Sequence, residues 1–264
     1  MRPHKILQVV LLLLSVVTFS ACKKVINVNL NSTSSRYVVE GNVTDQAGPY
    51  VVTITKSINF DQDNVWPTVS GAIVVITDVT AGQVDTLTET TPGNYNTHII
   101  AGISGHKYLL YVNAANNIFT ATSIMPAAVT LDSLYTQPNP FGGKHPELVP
   151  VYTDPALVGV NYHYYHFTEY KNDTESSNII VRNDALINGR VVNQPIGGDD
   201  LNTGDSVALY LECIDSGVYQ YYSTLNQTEN QNSASPSNPL SNLTGGALGY
   251  FSAHTSSLKT LIVQ

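Results

Sequence analysis

Between residues 36 and 126, short runs rich in β-branched and aromatic residues recur too often, and are broken too regularly, for helices to form. The runs cover 37–43, 50–55, 72–77, 85–88, 95–99, 108–112 and 118–121. Gly48-Pro49, Gly82, Pro92-Gly93-Asn94, Gly105 and Asn116-Asn117 separate them. Branched and aromatic side chains fit a pleated, half-buried surface, while Gly, Pro and Asn supply the backbone angles that reverse it. Seven such runs in roughly 90 residues is the cadence of a β-sandwich.

Within that cadence, Gly93-x-Tyr95 followed by Gly105-x-x-Tyr108-x-Leu110-x-Val112 resembles the closing hairpin of transthyretin-like modules. The glycines allow tight turns, and the alternating Tyr, Leu and Val put one apolar face on a core. The expected fold is mostly β: an immunoglobulin-like or transthyretin-like sandwich over 36–126, then a second β-rich domain with one short helix over 127–264.

Met125-Pro126 closes the first domain, Asp132-Ser133-Leu134 begins a connection, and the Pro- and Gly-rich stretch 138–150 reads as a loop or hinge. Strand signals resume at 149–152, 162–170, 179–182 and 207–214, with late candidates at 250–251 and 261–263. Residues 217–225 are the one credible helix. Asp215 or Ser216 caps it, and Val218, Tyr222 and Leu225 share a face. Residues 228–239 form a polar loop.

The N-terminus is a different kind of segment. Arg2, His4 and Lys5 precede an apolar stretch, 6–19, that as a helix would rise about 21 Å, too short to span a bilayer. It reads as a signal peptide, residues 1–21. Phe19-Ser20-Ala21-Cys22 looks like a lipobox, with Phe where Leu is usual, so Cys22 is the expected lipidation site and residues 22–35 a tether. Two or more acyl chains anchor a protein without a spanning helix. With Cys22 acylated, Cys213 has no disulfide partner, and its apolar run, 207–214, makes it a buried structural thiol.

Composition excludes one large class of partner. Charged residues make up 12% of the chain, against about 25% in a typical globular domain. Loss of residues 1–21 removes Arg2 and Lys5, leaving 10 basic and 20 acidic residues and a net charge of −10. With no basic cluster beyond Lys23-Lys24, nucleic acid is excluded as a partner, because binding it rests on phosphate neutralisation.

An ordered set of stretches carries a family resemblance. These are Val38-Val39-Glu40-Gly41, Gly71-Ala72-x-Val74, Asp154-Pro155-Ala156, Asn161-Tyr162-His163-Tyr164-Tyr165, Asp184-Ala185-Leu186-Ile187-Asn188-Gly189, Thr203-Gly204-Asp205-Ser206-Val207 and Tyr219-Gln220-Tyr221-Tyr222. The most specific is Ser241-Asn242-x-x-Gly245-Gly246-x-x-Gly249-Tyr250-Phe251. Together they resemble the domain-of-unknown-function 4249 family of Bacteroidota lipoproteins. The resemblance implies an outer-membrane lipoprotein, anchored through its acyl chains and associated with a TonB-dependent receptor. It implies no catalytic residues and leaves open whether the protein faces the periplasm or the exterior. The expected role is a non-catalytic binding or accessory module; a structural or adhesive surface protein is the alternative, and an envelope hydrolase a third. Glycines 245, 246 and 249 are expected to need positive φ or close approach, with Tyr250-Phe251 packing inward.

Few residues point to chemistry. No Gly-x-Ser-x-Gly elbow, P-loop or dinucleotide fingerprint is present, so no catalytic residue or cofactor is assigned. His163 and His166, three apart in a strand, point to opposite faces, and no neighbouring carboxylate cluster in sequence makes them a metal site. The loops 61–64 and 199–205 offer carboxylates that read as turns or, alternatively, as calcium ligands. Tyr162, Tyr164, Tyr165, Tyr222 and Tyr250 are candidate ligand-facing aromatics, set against an ordinary division between core and solvent face. Thr86, Ser133 and Ser206, each after Asp and before an apolar residue, are candidate O-glycosylation sites.

Overall fold

A computed structural model describes residues 34–59, 63, 65–156, 163–229 and 238–264. The sequence's signal peptide, Cys22, Asp61, Asn64 and Tyr162 lie outside these residues. The first half contains β1 (Tyr37–Thr44), β2 (Val51–Lys56), β3 (Ile73–Asp78), β4 (Gln83–Thr86), β5 (Thr88–Thr91), β6 (Asn94–Asn96), β7 (Lys107–Ala114) and β8 (Asn117–Ile124). The second contains β9 (Leu131–Gln137), β10 (Glu147–Thr153), β11 (Tyr164–Lys171), β12 (Thr174–Glu175), β13 (Ile180–Asn183), β14 (Val191–Val192), β15 (Ser206–Ile214), α1 (Ser216–Glu229) and β16 (Leu248–Ile262).

The protein is mostly β, as the strand cadence implies, and its described residues build three sheets. The largest runs β12-β11-β15-β16-β1-β2-β6-β5, with β13 also paired to β11; the others run β4-β3-β7-β8 and β14-β10-β9. What joins them is β16. The sequence suggests two separate late strands, but this is one 15-residue strand, parallel to β1 along its first half and antiparallel to β15 along its second.

The pleat then decides what each face does. Val39 and Val43 of β1 and Phe251 and Ala253 of β16 face a core shared with β3, β7 and β8. Val207, Leu209, Leu211 and Cys213 of β15, with Tyr165 and Phe167 of β11, face a second core under β9 and β10. Because the ladders are in register, these odd-numbered residues share one face of the large sheet. Both cores therefore lie on that face, and Leu243, Ala247, Phe251 and Ala253 from the C-terminal region enter the first of them. Residues 35–264 form one compact unit.

Two expectations need correction. Asp132-Ser133-Leu134 is not a connection but the middle of β9, and the loop predicted over 138–150 ends where β10 begins at Glu147. Strand β9 escapes the alternation test because only Leu131 is fully buried; its other side chains are half-exposed or exposed. The predicted helix is present and longer than the apolar face suggests. Asp215 caps it, its Oδ1 accepting the Val218 N–H at 3.0 Å.

The three glycines take the positive φ expected of them, but of Tyr250-Phe251 only Phe251 enters the core, because successive strand residues face opposite ways. Gly245, Gly246 and Gly249 have φ of 80°, 85° and 92°. A Cβ on Gly249 would lie 2.1 Å from the Val39 carbonyl oxygen, and one on Gly245 2.2 Å from that of Ile118. Phe251 is fully buried.

Candidate functional site

The even-numbered positions of the same strands build the opposite face, and there the polar chemistry collects. Asn42 and Thr44 of β1, His166, Thr168 and Tyr170 of β11, Glu212 and Ile214 of β15, and Tyr250, Ser252 and His254 of β16 line one cavity of about 260 Å³. Helix α1 contributes Tyr222, and Glu175 of β12 closes one side.

Glu212 is the centre of this arrangement. It stands opposite His166 on the neighbouring strand, and the imidazole Nδ1–H donates to its Oε2 at 2.7 Å. His254 Nε2 lies 3.8 Å from the other carboxylate oxygen. Ser252, two residues before His254 and hence on the same face, has its Oγ 2.9 Å from His254 Nδ1. Burial pushes the Glu212 carboxyl up, but the hydrogen bond from His166 and the positive charge available on the two imidazoles outweigh it, and the group is held below its ordinary value. Burial pushes His254 down, against the pull of Glu212, so the buried ring favours its neutral form. The site near neutral pH is thus an ionised carboxylate flanked by imidazoles.

Aromatic rings form its wall. Tyr222 stacks on His166, ring centroids 4.1 Å apart at 11°, and Tyr250 sits 5.2 Å from Tyr222. Asn42 Nδ2 donates to the Tyr250 hydroxyl at 3.4 Å. Burial raises both tyrosine hydroxyls, Tyr222 well above the ordinary value, so both stay protonated and able to donate. A carboxylate, two imidazoles, hydroxyl groups and two rings around a small hollow suit a compact polar ligand with one apolar face.

Two larger hollows, of about 720 and 450 Å³, lie over β13 and its flanking loops. Neither gathers a comparable set of acid and base groups. Only Arg182 and Arg190 are charged among their lining residues.

Of the aromatics singled out from sequence, Tyr222 and Tyr250 reach the cavity. Tyr165 does not: its odd position turns it into the second core, where it is fully exposed to no solvent, at 0%, and donates to Asp154. Tyr164 points the other way but packs at a tilt of 34° against Tyr219, centroids 4.7 Å apart, outside the cavity. His163 and His166 take opposite faces as their spacing requires. The sequence reading missed Glu212, Ser252 and His254. The available signal was Glu212 itself, a carboxylate inside the apolar run 207–214.

The remaining candidates are placed as follows. Thr86, Ser133 and Ser206 are all exposed. Asp205 accepts from Asn202 N–H and Asn172 Nδ2, and Asp199 from Ser176 and Asn178, so these carboxylates tie the 199–205 loop to its neighbours. Cys213 is a buried free thiol. Among the described residues no helix is long and apolar enough to cross a membrane.

No curated protein matches this sequence. A family model, described as domain of unknown function (DUF4249), matches residues 23–260. That match covers nearly all of the strands and every residue of the cavity, and the chain belongs to the DUF4249 family.

Proposed function

We propose that this chain is a lipid-anchored, non-catalytic binding module of the outer membrane whose site is the cavity around Glu212 and whose ligand is a small neutral sugar unit. One observation carries the binding reading: an ionised carboxylate, two imidazoles and two protonated tyrosines converge on one hollow of about 260 Å³. Sugars present hydroxyl groups to such donors and acceptors and an apolar face to aromatic rings. Binding of the purified chain to a glycan array tests it. Retention of one glycan class supports the reading, and a uniformly blank array contradicts it.

The anchor rests on Phe19-Ser20-Ala21-Cys22, and the family match starts one residue after Cys22. Metabolic labelling with a palmitate analogue should mark the wild type and not Cys22→Ala. The partner, a TonB-dependent receptor, is inferred from the family resemblance, an associational warrant. Recovery of such a receptor with the chain from detergent-solubilised membranes supports it, and its consistent absence counts against it.

One observation favours a second reading, a hydrolase. Ser252, His254 and Glu212 are spaced in the order nucleophile, base and acid. Against it, Ser252 is almost wholly buried and the His254 to Glu212 distance of 3.8 Å exceeds a hydrogen bond. Labelling of Ser252 by a fluorophosphonate would establish this reading over the binding one.

A further inference from the structure

On the core side of the large sheet, three strand ends bring together residues far apart in sequence. Asp154 follows β10, His163 precedes β11 and Asp184 follows β13. Tyr164 pairs with Asn183, so His163 and Asp184 are neighbours just past the end of that ladder. Thr153 pairs with Val191, which brings the 184–190 turn against Asp154. One donor atom from each of Asp154, His163 and Asp184 lies within 4.8 Å of the other two, and all three side chains are buried.

The hydrogen bonds hold the cluster in place and leave donors over. Asp154 accepts from the Tyr165 hydroxyl and from Gly189 N–H at 3.2 Å. Asp184 Oδ2 accepts the His163 N–H at 2.9 Å. Asp184 Oδ1 and His163 Nδ1 have no hydrogen-bond partner, although both atoms are sealed from solvent. The imidazole Nδ1 stands 3.7 Å from Asp184 Oδ2, too far for a hydrogen bond. Among the described residues no lysine or arginine pairs with either carboxylate; the ion pairs present all involve histidine. Two carboxylates and an imidazole therefore share one buried pocket with no lysine or arginine beside them and without a full set of hydrogen-bond partners, an arrangement that burial makes costly.

We infer that Asp154, His163 and Asp184 bind a divalent first-row transition metal, Zn²⁺ by the donor set. Imidazole nitrogen and carboxylate oxygen are both zinc donors, and three protein ligands leave a fourth position open. The ion would occupy the orphaned lone pairs and offset both negative charges. Donors on a tetrahedral zinc sit about 3.4 Å apart, so ligands now within 4.8 Å close on it by an ångström or so. Tyr165, which donates to Asp154, is the outer partner that orients that ligand, the usual companion of a metal-bound side chain. Strands β10, β11 and β13 would then be clipped at one point, which makes this a stabilising site separate from the cavity on the opposite face.

The test uses untagged full-length chain stripped with EDTA and titrated with ZnCl₂ by calorimetry and thermal unfolding. The wild type should take up one Zn²⁺ per chain, and saturation should raise Tm by about 5 °C or more. Asp184→Asn keeps an oxygen to accept the His163 N–H. It should abolish both the stoichiometric binding and the rise, while its metal-free form melts above metal-free wild type because one of the two crowded carboxylates is gone. His163→Gln should also abolish binding. The inference is overturned if the wild type binds no stoichiometric zinc, or if Asp184→Asn keeps it. Binding that survives Asp184→Asn and disappears in His254→Gln would place the ion in the cavity and equally overturn it.

Discussion

His166 and Glu212 face each other across adjacent antiparallel strands, 46 residues apart in sequence, joined by a 2.7 Å hydrogen bond from imidazole to carboxylate. The bond places an ionised acid within a cavity that also holds His254, and this pairing gives the site its dependence on pH.

The sign of that dependence follows from two groups. His254 is held below its ordinary value of 6.5, so as pH falls through that value the unfolded chain takes up a proton that the folded chain refuses, and stability falls. Glu212 is held below 4.5, so its contribution is present above that value and is lost as pH falls further. In a Glu169→Gln background, which removes an opposing titration between about pH 6 and 4.5, urea midpoints measured from pH 8 to pH 4 should therefore decline in two stages. His254→Gln should remove the first stage and keep the second; parallel curves for the two proteins would refute the assignment.

Glu169 should behave in the opposite sense. It is buried in β11, and burial first, then the charge of Asp199, raises it to about 6, outweighing a backbone hydrogen bond from Asp199 and the charge of Lys171. A raised carboxyl favours folding below its unfolded value of 4.5 and loses that advantage as pH rises through about 6. Glu169→Gln should accordingly stabilise the protein at pH 7.5 by up to about 2 kcal/mol, with the gain gone by pH 4.5. Denaturant unfolding at the two pH values measures it.

Gly249→Ala tests the junction of β1 and β16. The residue has φ of 92°, and a Cβ would lie 2.1 Å from the Val39 carbonyl oxygen. Backbone strain and steric overlap together should cost about 3 kcal/mol or more. Gly246→Ala, also at positive φ but with open space around it, should cost only about 1–2 kcal/mol. Equal losses would show that the contact with β1 contributes nothing.

Cys213 should be inert in the folded protein. It is buried in the second core, and burial raises its thiol to about 11. Iodoacetamide should label it only in denaturant; labelling of the native chain at pH 7.5 would contradict its placement.

The strands were legible where one face is buried, because large apolar side chains then recur at every second position, as Tyr108, Leu110 and Val112 do in Lys107–Ala114. Strand Leu131–Gln137 was not, since its exposed residues blur the alternation and Asp132-Ser133 resembles a turn. The rings of the cavity, Tyr222 and Tyr250, were recognisable as candidates from composition. Its acid-base centre was not, because only strand register brings Glu212 to His166, and only β16 brings His254 to Glu212. The same limit hid the Asp154, His163 and Asp184 cluster: the histidine could be singled out, but its carboxylates come from two other strand ends.

Glu212 is the proposed centre of a sugar-binding site, and calorimetric titration with mono- and disaccharides, comparing wild type with Glu212→Gln, tests it most directly. At least one neutral sugar should bind the wild type with Kd of about 1 mM or tighter, and the substitution should weaken it about tenfold or more, a loss of about 1.4 kcal/mol. Failure of every sugar to bind, or binding undiminished in Glu212→Gln, would contradict it.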